Sequence, residues 1–193
     1  MLLHDGDPGR RVVLLPGARY LSQAPLLWFA REAAQAHGWS VAELDETAPE
    51  DRDPFEWMPA RARQVLDETD AGLVCVVGKS LGSLAAPLVA DRGLPAVWLT
   101  PLLVRPEVVD ALARSAAPAL AIGSPDDPTW GDGTLPENPA LETLELPGLD
   151  HSLQVSGDPR ASLDALGLVL ERVGAFLGAL PGASPRVPPS DSP

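Results

Sequence analysis

Apolar residues recur along this chain in two alternating periods. Short runs with few charges have the length and residue types of strands: residues 11–17 (RVVLLPG), 39–44 (WSVAEL), 72–78 (GLVCVVG), 94–103 (LPAVWLTPLL), 118–124 (PALAIGS) and 141–148 (LETLELPG). Between them lie segments whose apolar residues step by three and four, as on one face of a helix. These are residues 24–38 (APLLWFAREAAQAHG), 55–69 (FEWMPARARQVLDET, despite Pro59) and 106–116 (PEVVDALARSA). The last opens on proline, which is tolerated in a first turn because its missing N–H has no partner there. Leu81, Leu84, Ala85 and Leu88 mark another such face, in which Pro87 should bend the helix or remove a hydrogen bond. Leu163, Leu166, Leu170, Val173, Leu177 and Leu180 give a final helix over residues 159–180. The run 72–78 is rich in valine and carries no charge, as expected of a strand covered on both faces. Strand alternating with helix predicts an α/β three-layer sandwich, with about six mostly parallel strands, helices on both faces and right-handed crossovers. The period ends near Leu180. Residues 181–193 (PGASPRVPPSDSP) are read as a disordered tail, and residues 1–180 as one domain without internal repeats.

At 193 residues, 45% apolar and 21% charged, the chain can bury the core of one domain. Its 27 acidic against 14 basic residues give a net charge of −13. That argues against nucleic acid or an anionic membrane surface as a partner, since both need clustered Lys and Arg. Cys75 is the single cysteine, so no internal disulfide can form; lying in an apolar run, it is read as a small buried hydrophobe. The first residues lack a cationic start followed by an apolar stretch of signal-peptide length, and no run is long enough for a membrane helix. The expectation is a soluble, cytoplasmic protein acting on a small molecule, with no cofactor and no metal.

Residues 78–82, Gly-Lys-Ser-Leu-Gly, fit two motifs with different chemistry. As the end of a phosphate loop, Gly78-Lys79-Ser80 needs an earlier glycine at position 73, which is Leu73. The intervening Leu-Val-Cys-Val-Val also favours extended strand, whose N–H groups are used in the ladder and cannot turn inward to cradle an anion. Nucleotide binding is therefore rejected. As a nucleophile elbow, the same residues need a strand, a sharp strained turn at Ser80 and then a helix. Gly78 and Gly82 are the small residues required two places either side, where strand and helix pass closely. The flanking pattern supplies both elements.

A serine hydroxyl is a weak nucleophile and needs a base, usually a histidine held by a carboxylate. Of three histidines, His4 lies in the N-terminal segment and His37 at a helix end, and both read as surface residues. His151 follows the last strand (LETLELPGLDHSL), the position the elbow fold gives its histidine. The acid should follow the preceding strand, where IGSPDDPTW offers Asp126 and Asp127. Asp127, before Pro128, is preferred and Asp126 stands as the alternative; an Asp-Pro turn would by itself account for both. Asp150 is adjacent to His151 and poorly placed to reach round to its ring. An oxyanion hole needs two backbone donors. The Leu81 amide is one, and the Ala18 amide, on the turn LLPGARY, is the other expected one, against the simpler reading of a Pro-Gly turn. Lys79 either meets an acidic group of a substrate or covers the neighbouring strand with its stem. Trp130, close to Asp127, either lines an acyl site or packs in the core.

Taken together, LLPGARY, VVGKSLGS, IGSPDDPTW and PGLDHSL, in this order, resemble the α/β-hydrolase fold family over residues 11–180, and within it the small members without a cap. The resemblance implies a reduced form of that fold and a Ser-Asp-His triad at Ser80, Asp127 and His151. The chain departs from the family in three ways: the two leading strands are missing, no insert is long enough for a lid, and Pro16-Gly17 stands where many members have His-Gly. The expected function is a serine hydrolase cleaving an ester or thioester through an acyl-enzyme. The alternative is an inactive binding or scaffold protein that keeps the fold.

Overall fold

The computed structural model describes residues 1–131 and 135–181; positions 182–193 of the expected tail lie outside the described residues. Seven strands form one sheet: β1 (Leu2–His4), β2 (Asp7–Leu15), β3 (Trp39–Glu43), β4 (Leu73–Lys79), β5 (Ala96–Leu99), β6 (Ala119–Gly123) and β7 (Leu141–Glu145). Their order is β1-β3-β2-β4-β5-β6-β7. All neighbours are parallel except β1, which runs antiparallel to β3. The six expected strands are present, and β1 is the addition: one short leading strand rather than none. It carries His4, whose ring lies 3.2 Å from the buried Glu43.

Five helices cover the sheet: α1 (Pro25–Ala36), α2 (Pro54–Asp67), α3 (Ala86–Asp91), α4 (Pro106–Arg114) and α5 (Pro159–Ala179). Each has proline in its first two positions, where a missing N–H removes no helical bond. Pro87 is one of these. The segment after Ser80 runs as a 3₁₀ helix (Ser80–Ala85) and becomes α-helical only at Ala86, so Pro87 starts a helix rather than bending one. Pro59 does lie inside α2.

Alternation along the strands splits the core into two layers. Val12, Leu14, Cys75, Val77, Leu120 and Ile122 pack against Leu27 and Ala30 of α1 and Val169 and Val173 of α5. Val13, Leu15, Val76 and Trp98 face the other way, against Met58 and Val65 of α2, Val89 of α3 and Val108 and Leu112 of α4. Cys75 is fully buried, and burial pushes its thiol well above the ordinary range. Among the described residues, no helix is long and apolar enough to cross a membrane, and no group of three or more His, Cys, Asp or Glu is placed to hold a metal ion. The carboxyl ends of β2, β4, β6 and β7 lie on one edge of this parallel sheet, where open α/β sheets form their binding crevices.

Candidate active site

β4 ends at Lys79 and the chain turns at once into the 3₁₀ helix, with Ser80 at φ 50°, in the left-handed region. A non-glycine residue there costs about 1–2 kcal/mol, which the surrounding packing must sustain. The two flanking glycines make the turn possible. A Cβ on Gly78 would lie 2.7 Å from the Trp98 ring, and one on Gly82 would lie 2.6 Å from the Leu15 carbonyl oxygen. The Ser83 hydroxyl adds a brace. It donates to the Ser80 carbonyl (2.7 Å) and accepts from the Leu102 amide (3.0 Å), all within the buried interior.

The turn brings the Ser80 Oγ within 2.7 Å of the His151 Nε2. The other ring nitrogen, Nδ1, is 2.6 Å from Asp127 Oδ2. A carboxylate can only accept, so Nδ1 carries the proton and Nε2 of the neutral ring accepts from the serine hydroxyl. The Asp127 side chain is fully buried, while that of His151 is 34% exposed. The ring edge is therefore open to solvent and its carboxylate partner is not. Asp127 begins a short 3₁₀ turn (Pro128–Trp130) and accepts from the Thr129 amide at 2.9 Å. The Thr129 hydroxyl sits 3.0 Å from both carboxylate oxygens and 2.9 Å from the His151 Nδ1. Thr129 was not singled out by the sequence; the Asp-x-Thr turn chemistry was the one signal that could have pointed to it.

Asp126, the alternative acid, is exposed and turned elsewhere, accepting from the Gly148 amide at 2.6 Å. Asp150 shapes the loop instead of touching the ring: its carboxylate accepts from the Ser152 and Gln154 amides. Trp130 is a core residue, 1% exposed, with its indole N–H donating to Glu145 and its ring lying over Gly123. His37 is at the far end of α1, against Gly178 of α5.

The turn after β2 lies directly against Ser80, since a Cβ on Gly17 would fall 3.3 Å from the Cβ of Ser80. Gly17 and Tyr20 close that turn on each other through N–H···O bonds of 3.0 and 3.3 Å, which leaves the Ala18 amide outside the turn's own bonding. Leu81 is the second residue of its 3₁₀ helix, ahead of the first i→i+3 bond, so its amide is also uncommitted within the helix. Ala18 and Leu81 line one cavity of about 440 Å³, with Trp57, Met58, Arg19 and Arg52 around them. A larger cavity of about 630 Å³, beyond the His151 loop, is lined by Asp150, Leu153 and Val155 but by none of Ser80, Ala18 and Leu81. The smaller cavity is thus the one adjoining the serine turn. Lys79 packs its stem against the turn that follows the neighbouring strand β2, where a Cβ on Gly17 would lie 3.1 Å from the Lys79 Cδ. Its side chain is 2% exposed and its amine donates to the His151 carbonyl at 3.0 Å.

No protein-family model matches the sequence, and no curated protein matches it. Solved structures do match in shape. Est1E of Butyrivibrio proteoclasticus, solved with ferulic acid bound, is 14% identical with a TM-score of 0.64, over 91% of this chain and 92% of that one. The mouse alpha/beta hydrolase domain-containing protein 10 is 10% identical with a TM-score of 0.67, over 91% and 92%. An α/β serine hydrolase without a lid from Xanthomonas campestris is 17% identical with a TM-score of 0.61, over 92% and 86%. What is shared at these identities is the fold: this chain has the mostly parallel α/β-hydrolase architecture.

Proposed function

We propose that the chain is a serine hydrolase cleaving a carboxylic ester or thioester of a small molecule, with Ser80, His151 and Asp127 as its triad. The observation that carries this reading is the unbroken line of hydrogen bonds from Ser80 Oγ through the imidazole to the buried Asp127. The strained turn that presents the hydroxyl supports it. So do the neighbours of like fold, among them Est1E solved with ferulic acid bound and a serine hydrolase without a lid.

In this reading His151 Nε2 takes the hydroxyl proton as Ser80 Oγ attacks the carbonyl carbon. The carbonyl oxygen becomes an oxyanion and is met by the Ala18 and Leu81 amides. Asp127 holds the ring in its tautomer and stabilises the imidazolium without taking its proton. The imidazolium then gives that proton to the departing alcohol or thiol. Water repeats the sequence on the acyl-enzyme, returning Ser80 and releasing the acid. A cavity of about 440 Å³ beside the oxyanion amides suits a small or medium acyl group.

A fluorophosphonate probe should label Ser80, and the wild type should hydrolyse p-nitrophenyl esters of short and medium acyl length while Ser80→Ala does not. Absence of both labelling and turnover in folded protein would overturn the hydrolase reading and leave the fold as a binding scaffold.

A further inference from the structure

Lys79 is a buried titratable group that the reaction above does not use. It is the last residue of β4 and immediately precedes Ser80. By strand alternation it lies on the same side as Val77, toward the α1 and α5 layer, where the neighbouring positions are apolar. A lysine in such a place must find partners for its charge. The stem passes the turn after β2: a Cβ on Gly17 would lie 3.1 Å from Lys79 Cδ. The amine sits 4.8 Å from the centre of the Tyr20 ring, on the same turn. It then reaches across to the loop between β7 and α5 and donates to the His151 carbonyl at 3.0 Å. Among the described residues that carbonyl accepts no other hydrogen bond. Three segments that build the candidate site therefore meet on one side chain.

The loop that carries His151 is anchored on either side of it: the Gly148 and Leu149 amides donate to Asp126 and Ser124, and Leu149 and Leu153 are buried in the core. Asp150 closes its own turn through the Ser152 and Gln154 amides, and Leu153 at φ 55° bends the chain away. The Lys79 bond is what ties the histidine's own main chain to the serine strand. We propose that Lys79 is a positioning residue: its ammonium fixes the His151 main chain where the imidazole spans Ser80 and Asp127. The proposal rests on the hydrolase reading above.

The charged groups facing Lys79 give the tie a pH dependence. Asp127 and Asp150 favour the ammonium, but burial opposes it more strongly and brings Lys79 down to about 8. Tyr20 is held neutral through this range, because burial and the nearby Asp150 raise its phenol further and outweigh the opposite pull of the Leu26 amide, which donates to its oxygen. His151 is the remaining titratable group in contact. Above pH 8 the neutral amine still donates, but less strongly than a charged one. The turnover rate should then fall by about five- to tenfold from pH 7 to pH 9.5.

The test compares wild type, Lys79→Met and Lys79→Gln on a p-nitrophenyl ester between pH 6 and 10. Lys79→Met should lower kcat by about 10- to 100-fold with KM within threefold, and should slow fluorophosphonate labelling of Ser80 in parallel. Lys79→Gln keeps an amide donor without a titration, so it should recover much of the rate and lose the alkaline fall. Wild-type kcat in folded Lys79→Met overturns the proposal. So does an alkaline fall near pH 8 that persists in Lys79→Gln, which also decides the matter should Lys79→Met fail to fold. Failure of the wild type to label or turn over overturns the hydrolase reading instead, so the two failures are distinct.

Discussion

Folding stability should rise with pH through the range 8–10, and Lys79 should be the cause. The side chain is 2% exposed, and burial lowers its proton affinity from the ordinary 10.5 to about 8. Between these two values the unfolded chain holds a proton on Lys79 that the folded chain has released. Stability climbs with pH wherever the unfolded state binds more protons. The contribution is fully present above 10.5 and is lost as pH falls through 8. A gap of about 2.5 units at about 1.4 kcal/mol per unit gives about 3 kcal/mol in total, of which about 2–3 kcal/mol accrues by pH 10. Other groups titrate in this range, so the measurement is a difference. Urea unfolding of wild type and Lys79→Met at pH 7, 8, 9 and 10 gives two stability curves, and subtraction leaves the Lys79 share. The wild type should gain about 2–3 kcal/mol on the variant from pH 7 to pH 10. At pH 7 the variant should be close to wild type in stability. It loses one charge-assisted hydrogen bond and a contact with the Tyr20 ring, but it also no longer buries an ammonium. A flat difference across the range would mean that Lys79 keeps its solution proton affinity in the fold, and the assigned burial of its amine would be wrong.

Three further substitutions probe the serine turn and its partners. Gly82→Ala places a methyl 2.6 Å from the Leu15 carbonyl oxygen, a main-chain atom that cannot swing aside; it should cost about 1–3 kcal/mol in thermal or urea unfolding and at least about 100-fold in kcat. Ser83→Ala leaves the buried Leu102 amide without its acceptor and frees the Ser80 carbonyl; a loss of about 2 kcal/mol should lower Tm by roughly 4–8 °C, and an unchanged melting curve would show that another group takes over the bond. Asp127→Asn keeps the shape but lets the ring adopt the wrong tautomer; kcat on aryl esters should fall by about 10³–10⁴-fold with little change in Tm, and a fall below tenfold would argue against Asp127 as the ring's partner in turnover.

The sheet was legible in the sequence because its central strands are short, apolar and bounded by turn residues. The serine turn was legible because its requirements are local: a strand, two glycines and a helix within a few residues. What the sequence missed depends on long reach. β1 is three residues long, and its place comes from the approach of Gly6 to the Trp39 main chain, where a Cβ would stand 2.2 Å from the carbonyl oxygen. Asp126 and Asp127 are alike in composition and position. They are separated only by the fold, which gives one to the Gly148 amide and the other to the His151 ring. Thr129 belongs to the site because a turn and a loop 22 residues apart converge on its hydroxyl. The destination of the Lys79 amine is a carbonyl 72 residues away, and no spacing rule covers such a contact. Periodicity reports which face of an element is buried; it carries no information on which polar groups meet at an edge.

The distribution of strain gives an independent argument for where the chemistry lies. Among the described residues four non-glycines have left-handed backbone: Arg19 (φ 67°), Ser80 (φ 50°), Thr100 (φ 45°) and Leu153 (φ 55°). Each follows the carboxyl end of a parallel strand, β2, β4, β5 and β7 respectively. The turns that enter β3 and β5 at the opposite edge also use this conformation, but there it falls on Gly38 (φ 81°) and Gly93 (φ 61°), which carry no Cβ to strain. The carboxyl edge has glycines in this conformation too, Gly131, Gly148 and Gly157, but all four strained non-glycines lie there, at about 1–2 kcal/mol each. Thr100 adds to that cost, being β-branched with a buried hydroxyl that has no partner among the described residues. A buried lysine and a fully buried carboxylate lie on the same edge. Costs gathered at one end of an otherwise well-packed sheet are the pattern expected where structure serves a reaction rather than stability. Glycine at position 80 would remove the strain and the hydroxyl together; that the chain keeps both supports the proposal that the oxygen is used.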